Sequence, residues 1–381
     1  MKLTTAGESH GKALVAIIEG LPAHLQLDIE KINVELALRQ SGYGRGARQK
    51  IEKDRAEILT GVRNGETLGS PVTLCIYNKD FANWENCMGS GECDEAVMQK
   101  KSLTKVRPGH ADLTGVIKFA QTDARNILER ASARETAIRV AAGGVYKQYL
   151  SALGVEIGGY VKEVCGVKDE NEYTFDEVLK SKQQPLGMLN EAVQNKAMAT
   201  IDTLKKAGDT AGGVAEIRVK GLKSGFGNVM TYAEKLDARL AQGLMSIQAI
   251  KGVEVGAGFA VGSVSGKYVH DEIFYDEKSG FTRKTNRAGG IEGGMSNGEE
   301  LVLRVAMKPI PTLMRGLQTV DYVTKESATA ASERSDVCAI LALEVIAEAV
   351  VAQVLADVVS ARLGGDTMTE QIKRYNALAN R

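Results

Sequence analysis

Apolar residues fill almost every position from Val337 to Leu363, interrupted by Glu344, Glu348 and Asp357. A run of this length raises the question of a membrane span, but carboxylates at bilayer depth are expensive. The pattern predicts instead a helix covered on all sides inside a large folded protein. Gly364 and Gly365 follow it and suit a C-terminal cap. Two more helices are predicted over 28–40 and about 133–153, the second opened by an S-x-x-E capping box at Ser132 and Glu135. Strands are predicted in EILTGVRNGETLGSPVTLCIYN (57–78), as a pair around a glycine-bearing turn, and in AEIRVKGL (215–222). VEVGAGFAVGSVSG (253–266) reads as a further strand broken by glycines. A helix without a solvent face must be covered, and layers of sheet can cover it. The expected fold class is therefore a layered α+β arrangement rather than an alternating βαβ array. Neither a linker nor a repeat at solenoid periods interrupts the chain, so a single domain over 1–381 is expected.

Composition narrows the function classes. The 381 residues are 44% hydrophobic and carry 48 basic against 48 acidic side chains, a formal charge of zero. No global field draws the chain toward nucleic acid or an anionic membrane, so neither is expected as a partner, and anion binding must come from local clusters. Gly is abundant, at 41 residues, while Pro numbers only 6, which points to tight turns and close packing rather than low-complexity disorder. The cysteines Cys75, Cys87, Cys93, Cys165 and Cys338 form neither a disulfide framework nor a zinc spacing. Reduced thiols and the absence of a signal-peptide pattern make a cytoplasmic location the expectation, with no metal.

Three short motifs fail on context. GESHG (7–11) matches the nucleophile elbow of serine hydrolases, but only eight residues precede Ser9 and cannot supply the strand and oxyanion loop that the elbow needs. GSVSGK (262–267) is one residue short of a P-loop, and GVEVGAGFAVG does not spell a dinucleotide fingerprint.

The chemistry-bearing residues gather in loops. His10 lies in GESHG and His110 in RPGHAD (107–112), both polar and glycine-containing settings where a side chain can meet a ligand. RQSGYGRGARQK (39–50) sets Arg39, Arg45, Arg48 and Lys50 around three glycines. That segment lacks the apolar residues to bury it, so its basic heads are expected to face solvent or an anion. Guanidinium suits phosphate and carboxylate because its planar fork donates paired hydrogen bonds. RNA contact is the competing reading, opposed by the neutral charge and the lack of neighbouring aromatics. Arg134 and Arg334 each stand at a predicted helix entrance, which suggests one anionic pocket between them. GGIEGGMSNGEEL (289–301) and MKPIPTL (307–313) add a glycine-dense loop and a proline-stiffened turn.

Together these segments resemble chorismate synthase. The resemblance runs over almost the whole chain: GESHG, RQSGYGRGARQKIEKD (39–54), RPGHAD, ERASARET (129–136), AQGLMSIQAIKGVEVGAGF (241–259), GGIEGGMSNG, MKPIPT and ERSDVCA (333–339) stand in order. It implies an anti-1,4-elimination of phosphate from 5-enolpyruvylshikimate-3-phosphate, giving chorismate, with reduced FMN required but no net redox change. It implies that His10 protonates the leaving phosphate, that His110 manages protonation of the reduced flavin and that Asp336 accepts the proton from flavin N5. Arg39, Arg45, Arg48, Arg107, Arg134 and Arg334 would hold the substrate's phosphate and carboxylates. Arg130, Ala131, Ser132, Gln248, Ala249, Gly293, Lys308, Pro309, Ile310, Pro311, Thr312 and Arg334 would form the FMN surface. NADPH enters only as a source of reducing equivalents, since no nicotinamide fingerprint is present. The resemblance also implies helices sandwiched between two antiparallel sheets and a homotetramer. Ser335 stands where many relatives have His, Gln248 where they have Asn, and Ala131 where Ser is frequent.

Overall fold

The computed structural model describes residues 1–46, 53–278, 280–330 and 335–378. Its strands and helices, in chain order, include β1 (Lys2–Gly7), β2 (Ala13–Glu19), α1 (Ile29–Gln40), β3 (Glu57–Thr60), β4 (Val72–Tyr77), α2 (Asp112–Phe119), α3 (Arg125–Ala131) and α4 (Thr136–Ser151). There follow β5 (Glu156–Val164), β6 (Val167–Lys168), β7 (Gly213–Lys220), α5 (Leu236–Met245), β8 (Ile250–Val255), β9 (Leu301–Met307) and α6 (Ile340–Leu363). One antiparallel sheet runs β1-β2-β4-β3 and a second runs β8-β9-β7-β5-β6.

Helices fill the space between the sheets. α4 lies against β2 and β4 of the first sheet, α6 against β5 and β7 of the second, and the two helices pack on each other with α1 beside both. The α4–α6 crossing is so close that a Cβ on Gly143 would stand 2.3 Å from the Ala349 Cβ, so only glycine fits there. In α6, 18 of 24 residues are buried, leaving no polar stripe for solvent. Among the described residues no helix is long and apolar enough to cross a membrane. This is the expected layered α+β arrangement with helices between two antiparallel sheets.

Glu344 and Glu348, which interrupt α6, are buried and paired with cations from both sides. Lys182 reaches both carboxylates, and Lys147 of α4 bridges Glu348 (2.6 Å) and Glu35 of α1 (2.7 Å). Burial and the neighbouring Glu348 push the Glu344 carboxyl up. Burial also pushes Glu348 up, but Lys147 and Lys182 outweigh it and hold that carboxylate ionised.

Two sequence expectations need correction. The capping box is not formed. Ser132 Oγ accepts from Arg134 N (3.3 Å), and a 3-10 turn, Ala133–Glu135, precedes α4. The Glu135 carboxylate instead accepts from Thr5 Oγ1 (3.1 Å) and Gln248 Nε2 (3.3 Å), partners that no local pattern announces. The strand expected over 253–266 ends at Val255. Gly256 turns there at φ +58, pressed so tightly against the 287–289 backbone that no side chain fits, and a 3-10 segment, Gly258–Ser263, follows. The pair within 57–78 does form, with an Asn64-Gly65 turn at positive φ closing a small ladder at its tip.

Candidate active site

The loops singled out in the sequence come together through three polar clusters. The first stands where the C-terminal end of α1 meets the entrances of α4 and α6. Asp54 lies 2.6 Å from Arg134 NH1 and 3.8 Å from Arg39 NH1, and all three side chains are buried. Arg39 also donates to Thr136 Oγ1 (3.0 Å) and the Ala133 carbonyl (2.8 Å), while Arg134 donates to Asn78 Oδ1. Beside them Arg45 approaches Asp336 at 3.4 Å, and the Asp336 carboxylate accepts from Gly46 N at 2.5 Å. Three guanidiniums thus gather around these two carboxylates. Burial lowers the proton affinity of Arg39, against Asp54 and with Arg134 and Arg45 adding to the fall. Arg45 falls for the same first reason, opposed by Asp336. Its Nε is buried without a hydrogen-bond partner among the described residues.

Of the two alternatives left open by the polarity of the 39–50 loop, solvent or an anion, Arg39 and Arg45 meet carboxylates of the protein itself. Asp54, which pairs with Arg39 and Arg134, sits fourteen residues downstream of Gln40, whose side chain accepts from its backbone amide. The Arg134 charge that opposes a helix dipole is met by Asp54. Arg48, Lys50 and Arg334 lie outside the described residues, so the expected pairing of Arg134 with Arg334 does too.

The second cluster is the RPGHAD loop. Asp112, at the start of α2, accepts from Arg107 Nε (2.8 Å) and meets His110 Nδ1 at 2.5 Å. Burial pushes the Asp112 carboxyl up, but hydrogen bonds from His110 and Arg107 outweigh it and hold the group well below the usual carboxylate range. Arg107 reaches Thr312 Oγ1 (3.2 Å), Lys308 donates to the Gly109 carbonyl, and Pro311 packs on Gly109. Thr210 Oγ1 donates to the Ile310 carbonyl (2.8 Å), and Pro309 packs against Gly212. Lys308 N in turn donates to the carbonyl of Ala249, a non-glycine residue held at φ +70. Loops distant in sequence are thereby tied side by side.

His10 belongs to the third cluster. Its Nδ1 lies 2.9 and 3.0 Å from the two oxygens of Glu129, which also accept its backbone amide (2.8 Å). Burial pushes Glu129 up, but its bonds with His10 prevail and lower it. Trp84 stacks on the His10 ring with centroids 4.1 Å apart. Ser9, the would-be hydrolase nucleophile, is buried between β1 and β2, and its amide donates to the Glu129 carbonyl. It stands on no strand-to-helix elbow.

The clusters share a frame. Asn78 binds the His10 loop through the carbonyls of Glu8 and Gly11 and binds Arg134 through Oδ1. α3 carries Glu129 and packs Ala124 and Leu128 against Val106 and Val116 beneath the His110 loop. Arg130 and Ser132 follow at its end, with Ala131 between them. Arg130 reaches Glu135 at 3.8 Å, and Glu135 holds Gln248. None of the contacts among the described residues joins His10, His110 and Asp336 directly. Gly293 stands apart at a hairpin tip near Val229 and Met295. Sequence reasoning missed Asp54, Asn78, Trp84, Asp112 and Glu129. Three of them lie inside the motifs themselves, as the acids that end IEKD and RPGHAD and begin ERASARET.

A flat, phosphorylated, amide-bearing cofactor fits the Gln248 region. Among the described residues, Gln248 Oε1 is a buried acceptor without a partner, suited to a ring N–H. Lys308, Arg130 and Thr312 supply donors for a phosphate, and burial with nearby Lys251 lowers Lys308.

A family model described as chorismate synthase matches residues 1–360. Curated proteins named chorismate synthase match along nearly their full lengths. That of Geobacter sulfurreducens is 52% identical over 98% of this chain and 97% of its own, and that of Caldicellulosiruptor bescii is 50% identical over 99% and 100%. A solved structure titled as chorismate synthase superposes with a TM-score of 0.79 at 40% identity, covering 98% of this chain and 96% of that one.

Proposed function

The chain belongs to the chorismate synthase family, lyases of the shikimate pathway, and from that premise we propose that it eliminates phosphate from 5-enolpyruvylshikimate-3-phosphate with reduced FMN bound. The observation that carries this reading is the convergence of buried guanidiniums. Arg39, Arg45 and Arg134 meet around Asp54 and Asp336, and among the described residues Arg45 Nε has no hydrogen-bond partner. A ligand with a phosphate and two carboxylates suits such a cluster, because buried cations need paired charge once water is excluded. Arg107 serves the same end from the RPGHAD loop, with Arg48 and Arg334 assigned to it by the family pattern.

His10 delivers a proton from Nε2 to the departing phosphate oxygen, its Nδ1 being held by Glu129. His110 is held the same way by Asp112, which fixes its tautomer and aims Nε2. Asp336, tethered by Gly46 N and Arg45, is the carboxylate that would accept the proton passed on at flavin N5. Each such acid or base step is worth about 10²- to 10⁴-fold. Arg130, Ala131, Ser132, Gln248, Ala249, Lys308, Pro309, Ile310, Pro311 and Thr312 would hold FMN, with Gly293 and Arg334 assigned to it by the family pattern alone. When bound, reduced FMN lends electron density to the elimination without net redox change. The reducing equivalents come from outside the chain, with NADPH as their ultimate source. A homotetramer in the cytoplasm completes the reading. Large apolar side chains left open, Met230 (87% exposed), Tyr232 (85%) and Phe259 (83%), support contact between subunits.

The test is an anaerobic assay with purified chain and the enolpyruvyl substrate. Phosphate release on addition of reduced FMN, and none with oxidised FMN, is expected. Equal release without any flavin would refute the reading.

A further inference from the structure

Between Tyr77 at the end of β4 and Asp112 at the start of α2, the chain makes a largely exposed excursion. It contains a 3-10 turn (Lys79–Asn83) and two short helices (Glu85–Met88 and Glu95–Lys101). Few of its side chains are buried, so it adds little to the core. Trp84, three residues after Phe81, is the sole tryptophan of the chain, and it packs on His10.

The two rings stack with an interplanar angle of 22°. Lys101 Nζ lies 3.6 Å from the centre of the same indole. An imidazole and an ammonium this close to one ring cannot share a face, so Lys101 occupies the face opposite His10. Trp84 Nε1 donates to Asp80 Oδ2 (3.1 Å), and Lys101 also donates to the Asn83 carbonyl (2.6 Å). The indole is therefore fixed at its edge and on both faces. Asp80 Oδ2 stands 4.0 Å from His10 Nε2, beyond hydrogen-bond reach but close enough to attract a charged ring. On the other side, Glu129 occupies Nδ1 and itself has Arg125 3.6 Å away.

We propose that Trp84 is a positioning residue for His10, clamping the imidazole with Glu129 so that Nε2 is the one ring nitrogen left to act. The π-face favours an imidazolium over a neutral ring, and the stack removes the rotation about χ2 that would swing Nε2 away. The excursion thus delivers Trp84 and Asp80 to the GESHG loop as a preassembled unit. This rests on the assignment of His10 as the proton donor, and the experiment separates the two.

The charged groups around the imidazole are Glu8 in its own loop, Glu129 and Arg125 on α3, and Asp80 and Lys101 on the excursion. Because the chain has one tryptophan, its emission reports this stack alone. Removing the imidazole from the indole face changes what that emission reports. Trp84 emission should shift in wavelength and intensity in His10→Gln. Emission identical in His10→Gln and the parent chain overturns the proposal.

In turnover, Trp84→Ala should lower kcat by about tenfold or more, toward the lower end of what a general acid contributes, with little change in KM. Trp84→Phe, which keeps a face for the ring, should restore most of kcat. Circular dichroism of Trp84→Phe and Trp84→Ala excludes misfolding as the cause. Full kcat in Trp84→Ala alongside an inactive His10→Ala would sink the proposal alone. Full activity in His10→Ala would sink the assignment of the proton donor, and the emission change in His10→Gln would still decide the stack.

Discussion

Asp54 and Arg134 form a buried ion pair at 2.6 Å, and the same carboxylate oxygen faces Arg39 at 3.8 Å. One acid thus neutralises two guanidiniums at the junction of three helices. Removing one partner of a buried pair leaves an uncompensated charge and costs about 3–5 kcal/mol. Asp54→Ala should therefore lose stability on that scale, measured by denaturant unfolding, and added substrate or phosphate should recover part of it. Stability unchanged by Asp54→Ala would show that the two arginines are neutralised elsewhere.

His110 is half-buried in a loop and contributes few apolar contacts. His110→Ala should lower turnover by about 10²-fold or more while shifting the unfolding midpoint little. The kinetic loss at constant fold is the diagnostic. Wild-type turnover in this variant would remove His110 from the chemistry.

The outcome of the sequence reading follows from where the physical signals lie. The buried helix was legible because apolar residues on every side of Val345 to Val359 leave no alternative to complete burial. The β3–β4 pair was legible from Asn64-Gly65, a turn that few other dipeptides make. Glu135 was misread because a local S-x-x-E pattern cannot reveal that Thr5 and Gln248, more than a hundred residues away in both directions, compete for its oxygens. The burial of Arg39 was missed because its cause, Asp54, acts through the fold. His10 and His110 stood out by residue type, whereas nothing local marks Glu129 and Asp112, which only the fold brings to Nδ1.

The acid pair inside α6 gives an asymmetric prediction. Glu344 is pushed toward its neutral form by burial and by Glu348, so Glu344→Gln disturbs the charge balance less than Glu348→Gln does. It should change stability by about 1 kcal/mol or less, the scale of one exchanged hydrogen bond. Glu348 is the ionised partner of both Lys147 and Lys182. Glu348→Gln should cost about 3–5 kcal/mol by stranding those ammoniums. Equal losses in the two variants, read from denaturant midpoints, would contradict this division of charge.

Asp112 and Glu129 are both lowered in the folded state by the histidines they hold. Their unfolded values lie at about 4. A depressed acid contributes stability that is fully present above its unfolded value and is lost as pH falls through the folded one. Unfolding free energy should therefore decline as pH drops below about 4. The slope should flatten in Asp112→Asn. An unchanged slope in that variant would mean that Asp112 is not depressed by His110 and Arg107.

The central claim is that one site eliminates phosphate with a reduced flavin that ends as it began. The most direct measurement is an anaerobic reaction with limiting reduced FMN, following phosphate, chorismate and flavin absorbance together. Phosphate and chorismate should appear in equal amounts, far exceeding the flavin, which should still be reduced when substrate is exhausted. One product per flavin with oxidised FMN at the end would contradict the account.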